Sequence, residues 1–389
     1  MLKVLLLGQG MAGTIFSIGV ERVKRGEIEP YGVPLAKYEF SIDISEIEII
    51  GSVDVDARKV GKTIYDVAKG LYRFENVPNS LKNVKVYPGI EAGAVNDIFP
   101  IKSLDQEGYV NALDEFMYLL RMLKPDVVID VTTTQYSKPF NDFGNFEKAV
   151  LEGKNVIPSQ IYAYLTLKYG SEEKKVAYIN MIPAPIANDN AIIRKAYESE
   201  CLVLGDDGAT GATPLTADIL EHLRERNRSV KSIAQFNIGG NTDFLALTNE
   251  RRNMAKEYTK GSVVKDILGY DAPHFIKPTG FLKPLGDKKF VAMHIEYISF
   301  NGVIDEIIVN MRVNDSPALA GYMVDLVRLA KFSLEKGYFG TIYEINAFYM
   351  KKPGPPNSKN ISRILAYSKL INFIEKSKQL QFSKIEKIG

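Results

Sequence analysis

The chain reads as an α/β protein, a parallel-sheet domain into which an α+β domain is inserted. Three observations predict this. Strand-like and helix-like segments alternate through residues 1–160, the pattern of a mostly parallel sheet. A glycine-rich turn follows the first strand directly. After residue 200 the segments become longer, with alternating or β-branched character, as in a second, open-faced sheet.

Leu2–Leu7 is apolar on both faces, as a buried parallel strand requires. Glu46–Val55 is expected as the second strand and Asp126–Val131, entered through Lys124-Pro125, as another; Asn155–Pro158 and Val176–Ile182 are shorter candidates. Residues 28–45 form a Pro/Gly-containing excursion longer than a simple crossover needs. In the second half Val230–Asn237, Phe290–Ile298 and Ile304–Val313 read as strands. Pro317–Leu334 carries one broad apolar stripe through Leu319, Met323, Leu326, Val327 and Ala330 and reads as a helix. The expected division is residues 1–200 with 312–389 as one discontinuous domain, and 201–311 as the insertion. The Lys-rich tail from Ile371 to Gly389 reads as an amphipathic helix.

Bulk composition narrows the function classes. The chain has 389 residues, 46% hydrophobic and 25% charged, ample for a sizeable core. Its 49 basic and 47 acidic side chains leave a formal charge of +2, so neither nucleic acid nor an anionic membrane is expected as a partner. The single cysteine, Cys201, excludes an internal disulfide framework and a cysteine-based zinc site, and suggests a reducing, cytoplasmic setting. No run approaches the eighteen apolar residues of a membrane span, and Leu2–Leu7 is too short for a signal segment.

Gly8-Gln9-Gly10-Met11-Ala12-Gly13 matches G-x-G-x-x-G between a strand and a helix. The first glycine permits the tight turn, the second lets backbone approach a pyrophosphate, and the third lets helix and strand pack closely. In this context the motif predicts a Rossmann-type domain that binds a dinucleotide. At the end of the second strand, Asp54 is placed to accept hydrogen bonds from the adenosine ribose and to disfavour a 2′-phosphate, hence NAD. The plain alternative is that Asp54 caps the next helix, and the nearby Arg58 and Lys59 keep NADP open.

The second half supplies further polar clusters. Residues 205–213 form a Gly/Thr/Asp-rich turn in which Thr213 caps a helix that begins with Pro214, and free amides at such a start can hold a phosphate. Asn237-Ile238-Gly239-Gly240-Asn241-Thr242-Asp243 ends a strand on polar side chains. Lys256 and Lys260 share a helical face, an arrangement that repels unless an anion lies between them. Lys289 follows Gly286-Asp287, and Lys351 follows Tyr349-Met350. Taken singly, each of these lysines reads more readily as a solvated surface residue than as a site residue. His222, His274 and His294 fall in no metal-ligand spacing, and structural roles are expected for them; no zinc site is expected.

Taken in order and spacing, these segments resemble the myo-inositol-1-phosphate synthases. The resemblance runs from the glycine loop to Lys351 and rests on the 205–213 loop, the 237–243 strand end, the spacing from Asp243 to Lys256 and Lys260, the Gly-Asp-x-Lys at 286–289, and Asp315-Ser316. The Asp54–Lys62 segment and the short length look like the prokaryotic branch. The resemblance implies an isomerase that uses NAD without net redox change. Glucose 6-phosphate is oxidised at C5, a C6 proton is removed, the enolate attacks the C1 aldehyde, and the ring ketone is reduced again. It implies that Lys256 and Lys289 transfer protons and stabilise oxyanions, that Lys260 serves phosphate or a proton relay, and that Lys351 stabilises charge on a sugar oxygen. Asp243, Asp287 and Asp315 are expected to position and partly neutralise that cluster. Gln9, Met11, Ala12, Thr133, Thr134, Asp207, Asp315 and Ser316 join the glycines and Asp54 at the cofactor, and Thr210, Gly211, Thr213, Asn237, Asn241 and Lys260 face the sugar phosphate. A homotetramer assembled through the inserted domain's sheet is implied as well.

Two segments depart from the family pattern. Ala209-Thr210-Gly211-Ala212-Thr213 stands where Lys-Ser-Gly-Gln-Thr is common, and Asn180-Met181-Ile182-Pro183 where Asn-Gly-Ser-Pro is usual. These leave open a different sugar phosphate, a plain dehydrogenase or other cyclase, and a catalytically silent NAD-binding sensor. A monovalent or divalent cation bridging Thr210 or Asp207 to the dinucleotide also stays open.

Overall fold

The computed structural model describes residues 1–95, 99–248 and 262–385. Six parallel strands form the first sheet: β1 (Leu2–Leu7), β2 (Ile47–Asp54), β3 (Val86–Pro88), β4 (Val127–Asp130), β5 (Ala177–Asn180) and β6 (Leu202–Leu204). Their order is β3-β2-β1-β4-β5-β6, so the chain reverses direction across the sheet between β1 and β4. Ligands of such sheets bind in the crevice outside the carboxyl ends of the strands, at that reversal.

Alternation along β1 explains its unbroken hydrophobicity. Val4 and Leu6 point into the core beneath the helices Met11–Lys24 and Asp315–Glu335. Leu5 and Leu7 point into the opposite core, under Tyr109–Leu123 and Pro158–Glu172. With both faces covered, a strand has no polar side to show.

The excursion at 28–45 is docked, not loose. The amide of Leu35 donates to Asp325 Oδ2 at 2.8 Å, and Arg328 Nε donates to the carbonyl of Ile42 at 2.8 Å. The Arg328 guanidinium also lies 4.2 Å from the Phe40 ring centroid. Burial pushes the Asp325 carboxyl up to about 6, although Leu35 and Tyr349 donate to it. Gly321, on the same helix, lets the chain at Gly32 come so near that a Cβ would overlap the Gly32 carbonyl. Gly321→Ala should therefore cost about 1–3 kcal/mol through forced backbone movement. A thermal melt reads this directly, and an unchanged midpoint would show that the excursion yields freely.

The second sheet has the order β10-β9-β7-β8, from β7 (Ser229–Gly239), β8 (His274–Phe281), β9 (Lys288–Ile298) and β10 (Ile304–Asn314). All its pairs are antiparallel except β7–β8. One face closes over the helix Thr213–Glu225 and a helix at 262–268, burying Ile233, Met293, Ile295 and Val264. The other face carries Phe236, Phe275, Ile304 and Ile308, all exposed, with the two phenylalanine rings 5.6 Å apart.

Four expectations change. Asn155–Pro158 is no strand: Ile157 is the cap residue and Pro158 opens the helix Pro158–Glu172, because its fixed φ suits a first helical turn. β6 pairs with β5, so the parallel sheet runs past residue 200, the expected end of its first segment. β8 was not anticipated, since Pro278 and Gly280 interrupt its pattern; proline is tolerated there because β8 is an edge strand. The tail helix begins earlier, at Arg363, and extends to Ile385. Among the described residues no helix is long and apolar enough to cross a membrane.

A candidate active site at the strand reversal

The glycine loop takes its shape from close approaches. Gly8 has φ +95°, and a Cβ there would lie 2.8 Å from the Val131 carbonyl oxygen. A Cβ on Gly13 would lie 2.7 Å from the carbonyl oxygen of Gly8, which is the tight helix–strand contact the motif requires. Gly10, by contrast, has open space beside it and caps the helix Met11–Lys24, whose first residues Met11 and Ala12 border the crevice. Gln9 is buried, its side chain donating to Thr14 Oγ1 at 2.9 Å.

Asp54 lies where expected, at the end of β2, and lines a cavity with Gly8, Gly10, Lys59 and Tyr72. Its carboxylate is fully engaged. Oδ1 accepts from the amides of Val55 and Asp56, both at 2.8 Å, while Oδ2 accepts from the Gln9 amide at 2.8 Å and from Lys59 Nζ at 3.0 Å. Burial opposes the Lys59 charge, but Asp54, Tyr72 and Asp56 outweigh it and raise the lysine above its ordinary pKa. The expected free acceptor for a ribose hydroxyl is thus a carboxylate bonded on all sides.

Between the two halves of the crevice runs the loop after β4. Asp130 anchors it, accepting from the Thr132 amide at 2.9 Å, from Thr132 Oγ1 at 2.6 Å and from the Tyr178 hydroxyl at 2.9 Å. Complete burial raises the Asp130 pKa against those donors. Thr133 borders both cavities, and Thr134, nearly buried, borders the second.

That second cavity starts at Gly10, Met11 and Ala12 and continues over Thr210, Asn241, Lys289, Asp315, Ser316 and Lys351. Lys289 Nζ is 3.2 Å from Asp315 Oδ2 and 5.5 Å from the Phe244 ring centroid. Lys351 Nζ is 3.2 Å from Asp207 Oδ1, both side chains buried. Asp287 ties three elements together. It accepts from Ser316 Oγ at 2.6 Å, from the Ser316 amide at 3.1 Å and from Asn241 Nδ2 at 3.2 Å. Gly211, with φ +69°, brings the 205–213 loop so close that a Cβ would lie 2.6 Å from Lys289 Nζ.

The anticipated residues are not all in this cleft. Asn237 is buried within the second sheet, donating to the Lys277 carbonyl at 3.0 Å and bonded through its backbone to Thr279. Thr213 begins the helix Thr213–Glu225 and is buried there rather than lining the cavity. Lys256 and Lys260 lie outside the described residues, as does the side chain of Asp243. Sequence reasoning missed Phe244, Met181, Ile182 and Leu319 as walls of the cavity. Met181 and Ile182 sit in one of the departing segments, which was the available signal. Among the described residues no three His, Cys, Asp or Glu side chains gather as a metal-ligand set. His294 pairs instead with Glu306 at 2.6 Å on the open face of the second sheet, and His274 with the Ala272 carbonyl at 2.8 Å.

Comparison with known proteins identifies relatives of the whole chain. The family model for myo-inositol-1-phosphate synthase matches residues 211–316, which span the 237–243 strand end, Lys289 and Asp315-Ser316. An inositol-3-phosphate synthase of Mycolicibacterium smegmatis is 24% identical over 96% of this chain and 98% of its own length. Its counterpart from Corynebacterium glutamicum is 25% identical, over 93% and 96%. The crystal structure of a myo-inositol-1-phosphate synthase-related protein from Thermotoga maritima superposes with a TM-score of 0.90 at 48% identity, covering 96% of this chain and 98% of that one. The inositol-3-phosphate synthase of Caenorhabditis elegans shares the fold, with a TM-score of 0.79 at 18% identity, covering 96% of this chain and 84% of that one. With near-complete overlap at nearly half identity to such a protein, the chain belongs to the myo-inositol-1-phosphate synthase family.

Proposed function

We propose that this protein converts glucose 6-phosphate to myo-inositol 1-phosphate (also named 1D-myo-inositol 3-phosphate) with NAD as a recycled cofactor. The observation that carries the reading is that Lys289 and Lys351, each held by an aspartate, border the same cleft that opens at the glycine loop. The open side of Gly10 and the free amides of the helix it caps fit a pyrophosphate. When bound, NAD would take a hydride from C5 and later return it, leaving no net redox change.

The chain's own groups meet the remaining demands. Each developing alkoxide or enolate is an anion in a partly enclosed site, where a fixed ammonium stabilises it better than water does. Lys289 and Lys351 supply two such ammoniums, and Asp315 and Asp207 hold them in place. Thr210, Gly211 and Asn241 stand at the sugar end, while Asp287 fixes Asn241 and Ser316 relative to each other. Lys256, Lys260 and Asp243 are assigned to the same chemistry on their positions in sequence.

The exposed Phe236–Phe275–Ile308 face of the second sheet supports assembly of identical chains into a tetramer, which the mass in solution would test. The apolar wall of Met181, Ile182 and Leu319 favours one second reading, the same chemistry on another sugar phosphate.

Incubating the pure protein with NAD and glucose 6-phosphate, with products followed by NMR and NADH by absorbance, tests the reading. Inositol phosphate without accumulated NADH is the expected result. Stoichiometric NADH with a keto product would indicate a dehydrogenase instead. Absence of any product despite tight NAD binding would point to another substrate or to a sensor.

A further inference from the structure

We infer that the adenosine end of the cleft accepts the 2′-phosphate of NADP about as readily as the free 2′-hydroxyl of NAD, with the Asp54–Lys59 pair setting this tolerance. The inference rests on the dinucleotide reading above. A carboxylate at the end of the second strand selects NAD in two ways: it accepts a bond from the ribose hydroxyls, and its charge repels a 2′-phosphate. Both need spare acceptor positions and an uncompensated charge.

Asp54 has neither. An ionised carboxylate offers about four acceptor positions, and all are taken by the amides of Val55, Asp56 and Gln9 and by Lys59 Nζ. The Lys59 ammonium is buried with it at 3.0 Å and also lies 3.7 Å from Asp56 Oδ2. Arg58 grips Asp56 through Nε at 2.9 Å and Nη2 at 2.7 Å. Two carboxylates therefore face two cations, and the cluster is neutral. The other acid on this cavity wall, Glu91, is turned onto the amides of Gly93 at 2.7 Å and Val95 at 2.6 Å.

Arg58 is half exposed and borders the same cavity, and a guanidinium fork matches phosphate geometry. A 2′-phosphate would thus meet the neutral Asp54–Asp56–Arg58–Lys59 cluster, with the half-exposed Arg58 guanidinium, paired to Asp56, at its rim. Selectivity is also unnecessary in the proposed turnover. A hydride that returns to the sugar before product leaves never couples the reaction to a cellular pool of reduced cofactor.

Titration calorimetry of the purified full chain with NAD and with NADP is the test. The expected dissociation constants differ by less than about tenfold, since Lys59 compensates the charge of Asp54 and the Glu91 oxygens are turned onto backbone amides. Lys59→Met frees Asp54 Oδ2 and unmasks its charge, and should raise the preference for NAD by about tenfold or more, the scale of one charge-assisted hydrogen bond. That substitution leaves two buried carboxylates short of a cation and could destabilise the chain, so Arg58→Ala provides a second reading at a half-exposed position. It should weaken NADP several-fold more than NAD. NAD binding with NADP weaker by more than about a hundredfold would overturn this inference and leave the dinucleotide reading intact. An unchanged ratio in folded Lys59→Met, or equal weakening in Arg58→Ala, would also overturn it. Binding of neither nucleotide would overturn both.

Discussion

Lys289→Ala should lower kcat by about a thousandfold or more while leaving the NAD dissociation constant within a few-fold. The ammonium is buried, fixed by Asp315 at 3.2 Å and packed over Phe244, so its position is set before substrate arrives. Stabilisation of this kind is large because no reorganisation is needed as charge develops. The adenosine cavity bordered by Gly8, Asp54 and Tyr72 is not lined by this side chain, so cofactor affinity should hold. The fold should hold as well. Asp315 keeps its place in the first turn of Asp315–Glu335, where the helix dipole favours a negative charge. Steady-state kinetics with a parallel binding titration separates the two effects. Turnover within tenfold of the unsubstituted protein would remove Lys289 from the mechanism, and joint loss of turnover and NAD binding would mark it as a structural residue.

The second large effect is expected at Asp206, which precedes Asp207 in the chain and whose side chain bonds to none of the groups assigned to chemistry. This carboxylate is almost fully buried and accepts five hydrogen bonds. Oδ1 takes Asn180 Nδ2 at 2.8 Å and the Ala187 amide at 3.1 Å. Oδ2 takes the Ile186 and Asn188 amides, both at 3.1 Å, and Asn188 Nδ2 at 3.0 Å. Asp206→Asn keeps the shape but turns one acceptor into a donor that faces donors. With about 1–3 kcal/mol for each buried group left unpaired, the loss should reach roughly 3 kcal/mol or more. A fall in melting temperature of roughly 5 °C or more follows. The loop these bonds hold follows β5 and carries Ile182 into the cleft, so activity should fall at temperatures where the fold still stands. A melting temperature unchanged within about one degree would show that the amide finds acceptors after a local rearrangement.

How much of this was legible in the sequence depended on the range of the interaction involved. β1, the glycine loop and the helix after it are written in adjacent residues, and G-x-G-x-x-G is readable because Gly8 and Gly13 answer to backbone a few positions away or on the next strand. Strands β7, β9 and β10 announced themselves by alternation, since each has one covered and one open face. β8 did not, because an edge strand tolerates the proline and glycine that usually end a strand. β6 is three residues long and is made a strand by its neighbour β5, not by any pattern of its own.

The site divides in the same way. The family resemblance, carried by order and spacing, singled out Asp287, Lys289, Asp315 and Ser316, which are close in sequence or carried by consecutive elements, and associated Lys351 with them. Tertiary structure alone decided that Asn237 and Thr213 turn away into packed interiors while Phe244, Met181 and Ile182 line the cleft. Asp54 shows the limit most clearly. Its place after β2 is a local property, readable from spacing. Whether its oxygens remain available depends on Gln9, forty-five residues earlier, and on where the next turn sends Lys59. Hydrogen-bond capacity is used up by whatever packs nearby in space, and a linear sequence does not record which partners arrive first.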